Sequence, residues 1–280
     1  MELGGLPEIP MQCQSGRSDA GLHALLRVDG LLSWGGLNMD NRFEAVNPHY
    51  APSWFWRRFV HSRAVQRLFL WTFKRLFGLR VRNAELVPLP AAYILAANHG
   101  SHYDLFLGLA AFYEVTGELP VPAAWEGLFG MPIIGGIVKA IPCVAIDNRV
   151  EKDTRRVAAI RELVGHLRAG RCIVIACEGE RHDQLGDFKH GAAFISLLTG
   201  VPVLPISLRG VQSLFKSLSW PDRYRGKVEA ILHTPLHPAQ FEATGGTRAE
   251  IIERFTLAIR EQVAADLDYP PNDVAAKSQP

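Results

Sequence analysis

The sequence predicts an α/β domain, a mostly parallel mixed sheet flanked by helices, preceded by an N-terminal amphipathic helical segment. Three observations carry this reading. From about Ala84 onward, short apolar runs fit for buried strands alternate with stretches of helical period, the order expected when crossover helices cover a parallel sheet. The composition is globular, with 48% hydrophobic and 21% charged residues over 280 positions, enough to bury a sizeable core. Ahead of that alternation lies a long basic and aromatic segment.

Residues 1–50 are rich in Gly, Ser and Asn, show no sustained period and read as a largely disordered extension. Residues 51–83 form the next unit. Within it, 54–82 holds Arg57, Arg58, Arg63, Arg67, Lys74, Arg75, Arg80 and Arg82 beside Trp54, Trp56 and Trp71 and several phenylalanines, and no acid occurs between Glu44 and Glu85. Long cationic side chains interleaved with Trp and Phe suit helices lying in a headgroup layer and drawn to anionic lipid. The alternative is an ordinary amphipathic helix packed on the domain with its charges solvated. The uncharged stretch 191–208 is long enough to span a bilayer, but Gly200, Pro202 and Pro205 divide it into a helix, a turn and a buried strand. Residues 127–146 are interrupted in the same way by Pro132, Gly135, Gly136, Lys139 and Pro142. The expectation is a peripheral association with the cytoplasmic face of a membrane, not a span.

The main domain is placed at 84–269. A short apolar run at 91–97 predicts a strand, followed by the polar loop NHGSHYD and a helix over LFLGLAAFYEV. Residues 155–167 set Val157, Ile160, Val164 and Leu167 on one helical face, and Gly170 ends that helix. Strands are expected at 172–177, over VPVLPIS, and at 227–234, with a helix, AAFISLLTG, ahead of the second of these. A last helix starts at Thr247, where Thr247 and Glu250 make a capping box before Ile251, Ile252, Phe255 and Ile259. Residues 270–280 read as a flexible tail.

Composition also excludes several classes of function. Cys13, Cys143, Cys172 and Cys177 form no CxxC pair and have no Cys/His spacing suited to zinc, so neither a thiolate metal site nor a disulfide framework is expected. Thirty Lys and Arg against 28 Asp and Glu leave a net charge of +2, too near balance for a general nucleic-acid binder. No GxSxG elbow occurs, against a Ser-nucleophile α/β-hydrolase.

The sharpest local feature is Asn98-His99-Gly100-Ser101-His102-Tyr103-Asp104, between a strand and a helix. A histidine leaving a buried strand faces solvent or a cleft, and a carboxylate five residues on can fold back to it. The carboxylate then sets the imidazole tautomer and stabilises the imidazolium formed when a hydroxyl loses its proton to the ring. The spacing alone is weak, since chance gives roughly 0.4 such pairs in a chain of this composition, and His182 with Asp187 is a second. Context separates them. His99 leaves an apolar strand and Asp104 sits where a helix cap is expected, whereas His182 lies in a polar loop.

Further blocks follow NHGSHYD in order: AAWEGLFGMPIIGGIVKAIPCVAIDNR, then CEGERHDQLGDFKHGAAFI, then VPVLPISLRG. Together, over about residues 85 to 235, they resemble the four motifs of the PlsC-like lysophospholipid acyltransferase (1-acylglycerol-3-phosphate O-acyltransferase) family. The resemblance implies that His99 is the general base and Asp104 its orienting partner, and that Glu178, Gly179 and Arg181 face the acceptor. Arg149 is implied as a second phosphate ligand. Loop amides near Gly100 and Ser101 are plausible donors to the tetrahedral oxyanion. The implied partners are acyl-CoA or acyl carrier protein as donor, a lyso-lipid acceptor and an anionic membrane surface, with no cofactor, metal or nucleic acid.

Three positions depart from the family pattern. Cys177 stands where a proline is usual, Glu180 where a threonine is usual between Gly179 and Arg181, and Asp147-Asn148-Arg149 sets the basic residue one place late. A carboxylate beside a phosphate pocket repels a dianion unless it turns away or pairs with Arg181. The expected reaction is acyl transfer to 1-acylglycerol 3-phosphate, with another lyso-lipid such as lyso-ornithine lipid, or thioester hydrolysis, as alternatives.

Overall fold

The computed structural model describes residues 58–59, 62–87, 92–100, 104–132, 134–141, 143–146, 153–180, 184–211 and 228–267. In chain order these form α1 (Arg63–Phe77), β1 (Arg80–Arg82), β2 (Ile94–Ala97), α2 (Asp104–Thr116), β3 (Val121–Trp125), α3 (Ile134–Ala140), β4 (Val144–Ile146) and α4 (Asp153–Arg168). They continue through β5 (Ile173–Ala176), α5 (Gly191–Thr199), β6 (Val203–Arg209), β7 (Glu229–Leu232), α6 (Pro238–Glu242) and α7 (Arg248–Ala265). The extension 1–50 and the tail 270–280 lie outside the described residues.

Among the described residues, seven strands build one sheet in the order β1-β7-β6-β2-β5-β3-β4. β2 pairs in parallel with β5 on one side and β6 on the other, while β7 runs antiparallel to β6. This is the mixed, mostly parallel sheet expected. Residues of β2 alternate between its two faces. Ile94 and Ala96 point into a core shared with α4, α5 and α7, through residues such as Leu163, Ala193 and Phe255. Leu95 and Ala97 point into a second core with Leu107 and Phe112 of α2 and Phe69 and Phe77 of α1. All four residues of β2 are buried, which is why this strand reads as an uninterrupted apolar run. Each fully buried Ile or Leu contributes roughly 1.5–3 kcal/mol over an exposed one.

Several elements differ from expectation. The strands within 91–97 and 172–177 are the shorter Ile94–Ala97 and Ile173–Ala176. β3 and β4 were not foreseen; β3 carries Pro122, Ala123 and Ala124, residues of low strand propensity. The basic segment is not helical throughout. Gly78 ends α1 in the left-handed conformation at φ 60, and Arg80–Arg82 then joins the sheet beside β7. Leu79 and the half-buried Val81 belong to the core, so the end of the expected docking segment is domain structure. The last helix keeps its expected start, with Thr247 accepting from the Glu250 amide and Glu250 bonded back to the Thr247 amide. No described helix is long and apolar enough to cross a membrane.

Candidate active site

β2 and β5 are neighbours in register, Ala97 beside Ala176, so the segments that follow them leave the sheet side by side. The carboxyl end of adjacent parallel strands is where open α/β sheets place their ligands. The first pair of backbone groups past the sheet is already tied, with the Cys177 amide donating to the Ala97 carbonyl at 2.9 Å.

Asn98 closes the other side. Its side chain is fully buried and mimics one more peptide of the ladder: Oδ1 accepts from the Leu208 amide at 2.7 Å and Nδ2 donates to the Leu208 carbonyl at 3.1 Å. The residue after it, His99, therefore starts from a fixed point. Its Nδ1 lies 3.0 Å from Oδ2 of Asp104, with the histidine side chain 29% exposed and the aspartate 5%. A carboxylate oxygen only accepts, so Nδ1 carries a hydrogen, and in the neutral ring Nε2 is then the nitrogen with the lone pair. Asp104 is the first residue of α2, and the same Oδ2 also accepts from the Gly100 amide at 2.7 Å. One oxygen thus fixes both the ring and the turn that carries it.

That contact overturns one expectation. The Gly100 amide, a candidate oxyanion donor in the sequence reading, is directed into Asp104. Ser101, Arg149 and Arg181 lie outside the described residues, as does His182 of the second His/Asp spacing.

Glu178 is placed beside His99, but not as an outward-facing acceptor ligand. It is 2% exposed. Its Oε1 accepts from the His99 amide at 2.6 Å and its Oε2 from the Gly186 amide at 2.7 Å. Gly179 adopts φ 73, and a Cβ there would lie 3.3 Å from Cγ of Lys189, so both backbone conformation and the lysine stem favour glycine. Glu180 is exposed. Burial pushes the Cys177 thiol up to about 12, with the Glu178 charge acting in the same sense; it stays a neutral thiol near pH 7. Among the described residues, no cluster of three or more His, Cys, Asp or Glu could hold a metal ion.

Sequence reasoning missed the structural roles of Asn98, Gly186 and Arg260, whose Nε donates to the Gly186 carbonyl at 3.0 Å. Asn98 stood in the quoted motif without a role. Arg260, 74 positions from Gly186, gave no local signal.

An imidazole just past the carboxyl end of a central strand, held by a buried carboxylate, is an arrangement able to serve general-base chemistry, and no nucleophilic serine elbow occurs in the sequence. The chain is similar to the family whose model, described as Acyltransferase, matches its residues 78–209. It is 29% identical over 228 residues to a protein of Mycoplasma pneumoniae named "Probable 1-acyl-sn-glycerol-3-phosphate acyltransferase", covering 78% of this chain and 82% of that one. It is 27% identical over 171 residues to the 1-acyl-sn-glycerol-3-phosphate acyltransferase of Bacillus subtilis, covering 59% of this chain and 76% of the relative. The fold is similar to the crystal structure of the 1-acyl-sn-glycerophosphate acyltransferase PlsC from Thermotoga maritima, with a TM-score of 0.54 and 23% identity over 79% of this chain and 91% of that one.

Proposed function

We propose that this acyltransferase moves a fatty acyl group from acyl-CoA or acyl carrier protein to the free hydroxyl of a lysophospholipid, with 1-acylglycerol 3-phosphate the leading acceptor, in phospholipid synthesis. The observation that carries the reading is the contact of His99 Nδ1 with the buried Asp104 carboxylate at 3.0 Å. The acceptor hydroxyl gives its proton to Nε2 as its oxygen bonds to the thioester carbonyl carbon. The tetrahedral oxyanion collapses with cleavage of the C–S bond, and the imidazolium returns the proton to the departing thiolate. Neither a covalent enzyme intermediate nor a metal is called for by this sequence of steps. The relatives' names support the acceptor class.

The reaction is proposed to run at the cytoplasmic face of a membrane, where a soluble thioester donor can meet a lipid acceptor. On α1, Arg63, Arg67, Leu68, Trp71, Lys74 and Arg75 are exposed, while Phe69 and Phe77 pack inward. Cations beside an exposed Trp and Leu suit an anionic lipid surface.

A second acceptor reading has one observation in its favour, the exposed Glu180 next to Gly179. Its charge disfavours a dianionic head group and favours a zwitterionic or amino-acid lyso-lipid such as lyso-ornithine lipid. Purified protein incubated with labelled acyl-CoA and a panel of lyso-lipids, with Glu180→Thr alongside, decides between them. Acylated 1-acylglycerol 3-phosphate is the expected product; free fatty acid alone would make the protein a thioesterase. His99→Ala should lose at least about 100-fold in rate, and retained activity would remove His99 from the mechanism.

A further inference from the structure

We infer that Glu178 and Arg260 are positioning residues, a relay that runs from the last helix through the loop after β5 to the backbone of His99. The inference rests on His99 being the general base and concerns what holds it.

The carboxylate of Glu178 is almost wholly withdrawn from solvent. A buried carboxylate is costly unless each oxygen is satisfied, and here each meets a backbone amide, His99 on one side and Gly186 on the other. The two amides belong to segments that follow different strands, so Glu178 joins the base-bearing turn to the loop that returns to α5. Charge-assisted bonds of this kind are short and directional, and those at Glu178 measure 2.6 and 2.7 Å. The Gly186 peptide is held from its other end as well, its carbonyl accepting from Arg260 Nε at 3.0 Å. Gly186 is buried, and the neighbouring Lys189 amide donates to the Cys177 carbonyl at 2.7 Å, which closes the loop upon β5.

The chain Arg260, Gly186, Glu178, His99, Asp104 therefore links a helix outside the matched residues 78–209 to the general base. His99 is gripped at its ring by Asp104 and at its main chain by Glu178. Removing the second grip frees the turn while leaving the ring's partner in place. A misplacement near 1 Å can cost about 100-fold in rate. An acceptor ligand and a positioning residue are thereby distinguishable: losing the first raises KM for the acceptor, losing the second lowers kcat.

The test uses full-length protein, acyl-CoA and 1-acylglycerol 3-phosphate. Glu178→Gln keeps the shape but presents one amide donor to a backbone donor, so one of the two bonds is lost. Its kcat should fall by about 100-fold with KM for the acceptor within twofold, roughly the scatter of such assays. Arg260→Gln should lower kcat several-fold, again at constant KM, and in 15N-labelled protein it should shift the amide signals of both Gly186 and His99. Arg260→Lys should restore part of the rate. If the Glu178 variant fails to fold, the Arg260 pair and the His99 amide signal decide alone. A raised acceptor KM at unchanged kcat in Glu178→Gln, or a His99 signal unmoved in Arg260→Gln, overturns the relay. Absence of transfer by the wild-type protein would instead overturn the reaction proposed above.

Discussion

A single oxygen of Asp104 receives both the His99 ring and the Gly100 amide, so its replacement disturbs tautomer and turn together. Asp104→Asn removes the charge, and it keeps both acceptor roles if its amide oxygen takes the place of Oδ2 and loses both if its nitrogen does. If its amide nitrogen faces the ring, Nδ1 must accept, and Nε2 becomes the protonated nitrogen, unable to take a hydroxyl proton. The expected loss in kcat is roughly 10²–10⁴-fold, read by continuous thiol release with circular dichroism as a control for folding. A kcat within tenfold of wild type would mean that the pair is not oriented for proton transfer. This contact was legible in the sequence because it spans five residues at a strand-to-helix junction. The contact from Glu178 to His99 spans 79, and no local pattern encodes a bond that exists only once two strands have paired. The resemblance placed Glu178 in an acceptor-binding motif, whereas the fold buries it and sets a backbone amide against each of its oxygens.

At the scale of elements, legibility followed chemistry that acts within one turn or one face. The start of α7 was readable from Thr247 and Glu250, because a capping box satisfies two amide donors that would otherwise be orphaned. Thr247→Ala should cost about 1 kcal/mol of stability in urea titrations; no change would mean that the cap contributes nothing to the folded state. β3 was not readable, since Pro122 and two alanines are held in the sheet by β4 and β5 rather than by their own preference. α1 stands between these cases. Its basic and aromatic content was evident, yet only packing tells which residues turn outward. Phe69 meets Phe106 of α2 edge-on with centroids 6.4 Å apart, and Lys74 pairs with Glu114, leaving Leu68 and Trp71 60% and 62% exposed. Leu68→Glu with Trp71→Glu should therefore abolish sedimentation with anionic vesicles while leaving the thermal unfolding midpoint nearly unchanged. Undiminished binding would move the lipid contact away from α1.

For the molecule as a whole, the buried His166 and the half-buried His233 couple the fold to pH. The Ser207 hydroxyl donates to the Val263 carbonyl at 2.6 Å and lies 2.7 Å from His233 Nε2, so it accepts from that nitrogen and the network is complete with a neutral ring. Burial lowers the His233 pKa, opposed by Asp266. His166, in the last turn of α4, is pushed down to about 4, first by burial and then by the Arg171 charge. With the folded pKa below the unfolded value near 6.5, the unfolded chain binds the extra proton first as pH falls. The stability these two histidines contribute is therefore fully present above about pH 7 and declines through the window down to pH 4, below which the His166 contribution to the slope ends. Between pH 7 and 5 that histidine alone accounts for a loss of roughly 2 kcal/mol, and His233 acts in the same direction. Urea unfolding of wild type and His166→Gln at both pH values measures it: the variant should lose roughly 2 kcal/mol less on acidification. Parallel losses in the two proteins would show that His166 is protonated as readily in the fold as in the open chain, and that the acid sensitivity belongs to other groups.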